Sequence, residues 1–501
     1  MPELQFLHDL ADTAAERFGS ALAISRGAAT MTQRQVAAES RRLAGWLLDR
    51  GLVRGDRLVL HASTHLSVPS LVYAASRVGV VVAIVHDQVR DHALRHVLTD
   101  CTPKLVITSD LAHVAPIAES EGAAAVDFDA CATGGDVVRG PASTATDACC
   151  LIYTSGSTSM PKAVVCTHQQ MVFAASAVQA ELAYQADDRV FTPLPLSFDY
   201  GLYQVFLGAL SGAEVHIGHA AEAGAGLLAA LQHTGATVLA GVPSVTETLI
   251  RLVRRKSGEA PQLRLITNTG AALSEATIAD LRAAVPSARL QLMFGLTECK
   301  RVSIMPPDGD LLRPGSCGRP LPGTEVVALD EEGRALEPGE VGEFVVRGPH
   351  VMAGYWRRPE LTEQRFPRRD GLFPELRTGD YGWLDEDGYL YFAGRRDDIY
   401  KERGFRVSGT EVEAAARRVA GVDEAVLLAP ADGREHAALF TVTELTPAAV
   451  LTAMKGQIEE FKIPARCIVL ERLPLTQHGK PDRNALAARL VPAPSGGDRA
   501  S

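Results

Sequence analysis

The stretch Tyr153-Thr154-Ser155-Gly156-Ser157-Thr158-Ser159-Met160-Pro161-Lys162 decides how this chain is read. It continues the apolar run Ala148-Cys149-Cys150-Leu151-Ile152-Tyr153, which reads as a short buried strand. The strand gives way to small hydroxylic residues around one glycine and closes on Pro-Lys. Such a loop gathers backbone N–H groups, several hydroxyls and an ammonium within a few residues, the donor set that wraps a polyphosphate. A Ser/Thr/Gly run is also the composition of a solvated turn. The Walker pattern is missing, because no Gly-Lys-Ser/Thr follows at the required spacing. The loop alone leaves both readings open, and its surroundings decide between them.

Outward from the loop, up to about Pro314, amphipathic segments alternate with short Val/Ile/Leu-rich runs. Leu58–Leu60, Val80–Val85, Lys104–Thr108, Val190–Pro193, Glu214–Ile217, Thr237–Gly241 and Leu263–Thr267 are expected as strands, with helices such as Thr32–Arg50 and Leu227–His233 between them. That alternation predicts an α/β fold with parallel-rich sheets. The most apolar stretch, Leu66–Val85, is broken by Arg77 and Gly79 and reads as a helix running into a buried strand, not a membrane span. From Gly315 to Phe392, Gly- and Pro-punctuated short strands predict an antiparallel, β-barrel-like subdomain. After Gly394-Arg395-Arg396-Asp397-Asp398 comes a small α+β tail: a strand, a helix over Gly409–Val419, then two apolar strands. The expected division is a large domain over 1–396, a mobile domain over 397–490, and a disordered end at 491–501.

A chain of 501 residues exceeds what one core holds. A net charge of −10 without a basic block argues against nucleic acid or an anionic membrane as partner. The eight cysteines are scattered, and no metal-ligand spacing appears among them, which predicts buried, reduced thiols in the cytoplasm. Met1-Pro2-Glu3-Leu4 lacks a charged region followed by an apolar block, so no secretion signal is read.

Four further segments carry chemistry. Phe294-Gly295-Leu296-Thr297-Glu298 offers a carboxylate able to hold magnesium against phosphate oxygens. Arg377-Thr378-Gly379-Asp380 places a carboxylate after a turn, suited to the two hydroxyls of a ribose. Gly394-Arg395-Arg396-Asp397 precedes Lys401-Glu402-Arg403-Gly404-Phe405-Arg406, and Pro474-Leu475-Thr476-Gln477-His478-Gly479-Lys480 presents one lysine on a Gly-containing loop. Each has a bland alternative as a turn, a helix cap or a surface loop.

In this order and spacing the segments resemble the AMP-forming acid ligases: acyl- and aryl-CoA synthetases, adenylation domains of nonribosomal peptide synthesis, and luciferases. The resemblance runs from about Phe6 to Arg483. It implies that Thr154, Ser155, Gly156, Ser157, Thr158 and Lys162 wrap the outer phosphates of ATP. Gly270, Ala271, Phe294 and Gly295 would flank the adenine, with Phe392 in the same nucleotide set. Thr297 and Glu298 would meet the α-phosphate and Mg²⁺, and Asp380 would hold the ribose with Arg395 assisting. Asp397 would be the hinge. Lys480, with Thr154, Thr297 and Glu298, would be catalytic. Two segments depart from the family pattern: Ser159 and Ala163 stand where glycine is usual, and Gly270-Ala271-Ala272 replaces Gly-Gly-Glu.

The resemblance places the acid along Phe198-Asp199-Tyr200-Gly201-Leu202-Tyr203, with Asp199 and Tyr203 foremost, along Thr267-Asn268-Thr269, and at Met293 and Arg301. An aspartate matching Asp199 binds the substrate ammonium in amino-acid-activating relatives. A lone buried carboxylate is costly unless a cation meets it; a substrate ammonium would do so, and so would Lys300 or Arg301 just after Glu298. Two arrangements satisfy it: Asp199 with Thr267 takes an ammonium while Arg301 takes a second carboxylate, or Asp199 pairs with Arg301 and a simpler acid binds beside them. We favour the amino acid, β-amino or aspartate-like, with proline also open. The implied acceptor is the phosphopantetheine thiol of a separate peptidyl or acyl carrier protein in natural-product biosynthesis. The alternatives are coenzyme A as acceptor, or an inactive carrier-docking homologue.

Overall fold

The computed structural model describes residues 4–62, 64–131, 135–137, 143–154, 161–255, 260–369, 371–395, 399–402, 405–430, 436–455, 457–458, 460–475 and 481–490. Its contacts divide into two compact units. The first comprises Met1–Val326, Val345–Thr378 and Asp387–Leu390; the second comprises Val327–Phe344, Gly379–Glu386 and Tyr391–Ser501.

The first unit carries two parallel-rich sheets, as the alternating pattern predicts. One runs in the order Gly354–Tyr355, Lys162–Thr167, Ala148–Thr154, Val81–Val85, Arg57–His61, Leu105–Thr108, Ala124–Asp127. Its last five strands are mutually parallel, and the first two add antiparallel pairings. All five residues of Val81–Val85 are buried, which is why a parallel strand covered on both faces reads as an unbroken apolar run. The other sheet is parallel through Arg289–Phe294, Leu265–Asn268, Val238–Gly241, Arg189–Thr192, Glu214–Ile217 and Leu22–Arg26. Leu66–Val85 resolves into the helix Val68–Val78 and the strand Val81–Val85. Among the described residues no helix is long and apolar enough to cross a membrane.

Helix ends follow local chemistry. Thr32 caps Gln33–Asp49: its Oγ1 accepts from Gln35 N at 3.2 Å, and Thr32 N donates to Gln35 Oε1 at 2.7 Å. Arg77, with a fully buried side chain, donates to both oxygens of Asp12 at 2.8 and 2.7 Å and to Ser40 Oγ at 3.1 Å. This fork fastens the helices Leu7–Phe18, Gln33–Asp49 and Val68–Val78 to one another. All eight cysteines are free, six of them buried, and burial pushes the thiols of Cys101, Cys166 and Cys299 up to about 12. They are packing groups.

Two buried imidazoles make stability pH-dependent. Burial lowers His168 and His350 from 6.5 to about 4. Both are therefore neutral in the folded chain, while their unfolded counterparts take up protons below about 6.5. Their contribution is complete above that pH and declines as pH falls from about 6.5 to about 4. Each should cost roughly 2 kcal/mol by pH 5. The urea midpoint is expected to be lower at pH 5 than at pH 7.5, with a smaller difference in His168→Gln. A pH-independent midpoint would count against neutral burial.

In the second unit, the strands Val422–Leu428, Ala438–Thr443 and Arg466–Leu470 form a sheet with one antiparallel and one parallel pairing. The helix Gly409–Arg417 agrees with the sequence expectation. The helix Pro447–Met454 and the third strand are additions to it. The helix start was nonetheless signalled, by Thr446 as cap and Pro447 in the first turn. Val412, Ala416, Leu427, Leu439, Val450 and Met454 form the core.

Candidate adenylation site

The two ends of the hydroxyl-rich loop are described, while Ser155, Gly156, Ser157 and Thr158 lie outside the described residues. Thr154 ends its strand in register with Lys162, which opens the antiparallel strand Lys162–Thr167; Thr154 Oγ1 donates to Lys162 O at 3.4 Å. Both ends meet the helix Asp91–Cys101: Tyr153 O–H donates to Asp100 Oδ2 at 3.0 Å, and His96 Nε2 lies 2.8 Å from Pro161 O.

Lys162, Tyr355 and Glu298 converge beside this loop. The Lys162 ammonium sits 4.1 Å from the centre of the Tyr355 ring. Desolvation lowers its pKa, and nearby Glu298 partly offsets that shift. Glu298 is buried at 8% exposure, and its Oε1 accepts from Tyr355 O–H at 2.5 Å. Burial and the adjacent carboxylate push the Tyr355 phenol well above its ordinary value, so it is a donor. Among the described residues no group of three His, Cys, Asp or Glu gathers. A divalent ion here would take Glu298 and complete its shell with phosphate oxygens and water, the usual provision for Mg²⁺. Glu298 fits that need. Thr297 is half-buried beside it.

In the segment expected to flank the adenine, Gly270 has φ of 87°, and Asn268 Nδ2 donates to Ala271 O at 3.1 Å. Phe294 ends its strand. Gly295 is required by close approach, since a Cβ there would lie 2.3 Å from Lys300 O. In the second unit, Arg395 Nε donates to Asp380 Oδ1 at 3.1 Å, with Asp380 buried and Arg395 exposed; Phe392 lies on the same strand as Arg395. Asp397, Arg403 and Lys480 lie outside the described residues.

The residues expected to take the acid meet at a narrow cavity lined by Asp199, Tyr200, Tyr203, Met293, Lys300 and Arg301, among others. Asp199 opens the helix Asp199–Ser211, where the helix N-terminus favours its charge. Its nearest cation is Lys300, at 3.8 Å from Oδ2, so of the two cations the sequence offers it, Lys300 and Arg301, the lysine is the one it meets. Lys300 is fully buried with φ of 65°, and its Nζ makes no hydrogen bond. The left-handed turn directs it towards Asp199 and leaves Arg301 elsewhere: the guanidinium lies 4.7 Å above the Tyr200 ring and donates to Lys300 O at 2.5 Å. Arg301 Nε is buried without a partner. The Thr267 hydroxyl is bonded to Tyr200 O–H, and Tyr203 O–H meets Met171 Sδ at 3.1 Å. Thr269 is buried, its N–H on Gly241 O.

Sequence reasoning named Tyr200 only as part of the Phe198–Tyr203 stretch, without a role, and missed Tyr355 altogether. Tyr200 neighbours Asp199 on one helix turn, and its outward signal was only its place in an aromatic run. Tyr355 had none, because its position depends on a two-residue strand pairing with Val164 and Val165.

The model of the AMP-binding enzyme family matches residues 11–356. A plipastatin synthase chain of Bacillus subtilis (strain 168) is 32% identical over 359 residues, 69% of this chain; the match spans 14% of that protein's length. A long-chain-fatty-acid–CoA ligase of Salmonella typhimurium is 28% identical over 530 residues, 95% of this chain and 93% of that one. Among solved structures, VinN is 40% identical with a TM-score of 0.72, covering 78% of this chain and all of that one. Its complex with L-aspartate gives 39% identity and 0.70, covering 78% of this chain and 98% of that one. ATP-bound MatB from Rhodopseudomonas palustris is 27% identical with a TM-score of 0.84, covering 96% of this chain and 98% of that one. A family match over most of the first unit, on a chain with this sheet order and loop, means that the protein belongs to the AMP-binding enzyme family, within the AMP-forming ligase superfamily.

Proposed function

We propose that the chain uses ATP to activate an amino acid bearing a second carboxylate, aspartate-like or β-amino, and passes the acyl group to the phosphopantetheine thiol of a separate carrier protein. The observation that carries the substrate class is Arg301, buried over Tyr200 with an unpartnered Nε beside the Asp199–Lys300 pair. One anion and two cations leave the cavity with a net positive charge. A substrate with one ammonium and two carboxylates complements that set: Asp199 takes the ammonium and Arg301 the carboxylate that does not react. VinN, solved with L-aspartate, supports the same class.

In the first half-reaction the substrate carboxylate attacks the α-phosphorus of ATP, the bond to the β-phosphate breaks, and pyrophosphate leaves. No base is needed, since the nucleophile is already an anion. Two negative groups must meet, so positioned cations are the chief requirement. Lys162 and the loop donors would hold the outer phosphates, and Lys480 would approach from the mobile domain about a hinge at Asp397. Asp380 and Arg395 would take the ribose. Mg²⁺, held on Glu298, would neutralise phosphate charge. In the second half-reaction the thiol sulfur attacks the acyl carbon, AMP leaves, and the thiol proton passes to solvent.

ATP–pyrophosphate exchange with a panel of acids tests the proposal. Aspartate-like and β-amino acids are expected to drive exchange, and exchange with fatty or aryl acids alone would overturn it. The near full-length likeness to a fatty-acid–CoA ligase favours the second acceptor, coenzyme A. Comparing coenzyme A with a phosphopantetheinylated carrier separates the two.

A further inference from the structure

The nucleotide reading leaves Tyr355 without a task, although it touches both Lys162 and Glu298, with the Arg365 guanidinium also acting on its hydroxyl. Its ring carries the Lys162 ammonium at 4.1 Å, and its hydroxyl donates to Glu298 Oε1 at 2.5 Å. Among the described residues no ion pair joins Lys162 to Glu298, even though each lies against the same ring and Glu298 acts electrostatically on Lys162. In a half-buried setting such opposite charges attract strongly. Paired, they would neutralise each other, and neither would be available to a phosphate or a metal. Tyr355 is itself braced. Its backbone pairs with Val164, Tyr355 N donates to Thr362 Oγ1 at 2.9 Å, and its ring meets Phe366 edge-on with centroids 5.5 Å apart.

We propose that Tyr355 is a positioning residue that holds Lys162 and Glu298 apart, each on its own part of one phenol. The ring face satisfies the ammonium without discharging it. The hydroxyl fixes one carboxylate oxygen, so that the other is presented to a cation. The inference rests on the nucleotide reading above.

The test is calorimetric ATP binding to the full chain, with and without Mg²⁺ and with no acid present, so that no turnover is measured. Tyr355→Phe keeps the ring and loses the donor. It is expected to weaken the Mg²⁺-dependent gain in ATP affinity by about tenfold, with Mg²⁺-free affinity within about twofold. Tyr355→Leu removes the ring, and Mg²⁺-free affinity should itself fall about tenfold as Lys162 closes on Glu298. Adding Glu298→Gln to Tyr355→Leu should then restore Mg²⁺-free affinity, which repair of simple packing damage would not do. A wild-type Mg²⁺ gain in Tyr355→Phe, or no restoration in the double variant, would overturn this inference alone. No ATP binding by the unaltered chain would overturn the nucleotide reading and this inference with it.

Discussion

Arg301→Met is expected to lower kcat/KM for aspartate-driven ATP–pyrophosphate exchange by roughly 30- to 1,000-fold, about 2–4 kcal/mol. The guanidinium is buried on the Tyr200 ring, with one nitrogen spent on Lys300 O and Nε unpartnered. A carboxylate arriving there would meet a desolvated, pre-oriented fork, the setting in which such pairs are strongest. Methionine preserves bulk and apolar packing over the ring, which separates the lost charge from a collapsed cavity. The check is the ratio of rates between aspartate and a β-amino acid lacking the second carboxylate. Aspartate should fall steeply and the neutral acid by no more than a few-fold. Equal losses on both would mean that Arg301 supports the pocket and does not read the substrate.

Lys480→Ala is expected to reduce acyl-adenylate formation by about 10²–10³-fold or more while leaving thiol transfer from a supplied adenylate within a few-fold. The lysine comes from the Gln477-His478-Gly479-Lys480 segment, whose role rests on the family resemblance. Adenylation brings two anions together and depends on a cation between them. Thioester formation attacks the acyl carbon of the adenylate, not its anionic phosphorus, and so has less need of a cation between two anions. Pyrophosphate exchange and single-turnover thiolation therefore read the two halves separately. A parallel loss in both would remove Lys480 from the role proposed.

Much of the architecture was legible because buried parallel strands are almost wholly apolar. Glu214–Ile217 was read to its observed ends, and Val80–Val85 to within one residue of Val81–Val85. Thr32 announced its helix through a side chain that caps it. Asp199 and Arg301 were legible as pocket residues through the resemblance, and Lys300 and Arg301 as the two candidate cations for Asp199, but not which of them it meets. Asp199 meets Lys300 because that residue adopts a left-handed backbone, and no propensity marks a lysine for that conformation. The Lys162–Tyr355–Glu298 cluster was equally hidden. It draws on three segments whose meeting depends on a two-residue strand too short to leave a pattern.

The turn at Lys300 also bears on how this protein tolerates change. An L-residue at φ of 65°, wedged with its carbonyl against Gly295, sits where glycine would rest more comfortably by about 1 kcal/mol. Glycine there would relieve that strain but strip the buried Asp199 of the ammonium that faces it, a loss of about 3–5 kcal/mol, so a search for heat resistance should keep the lysine.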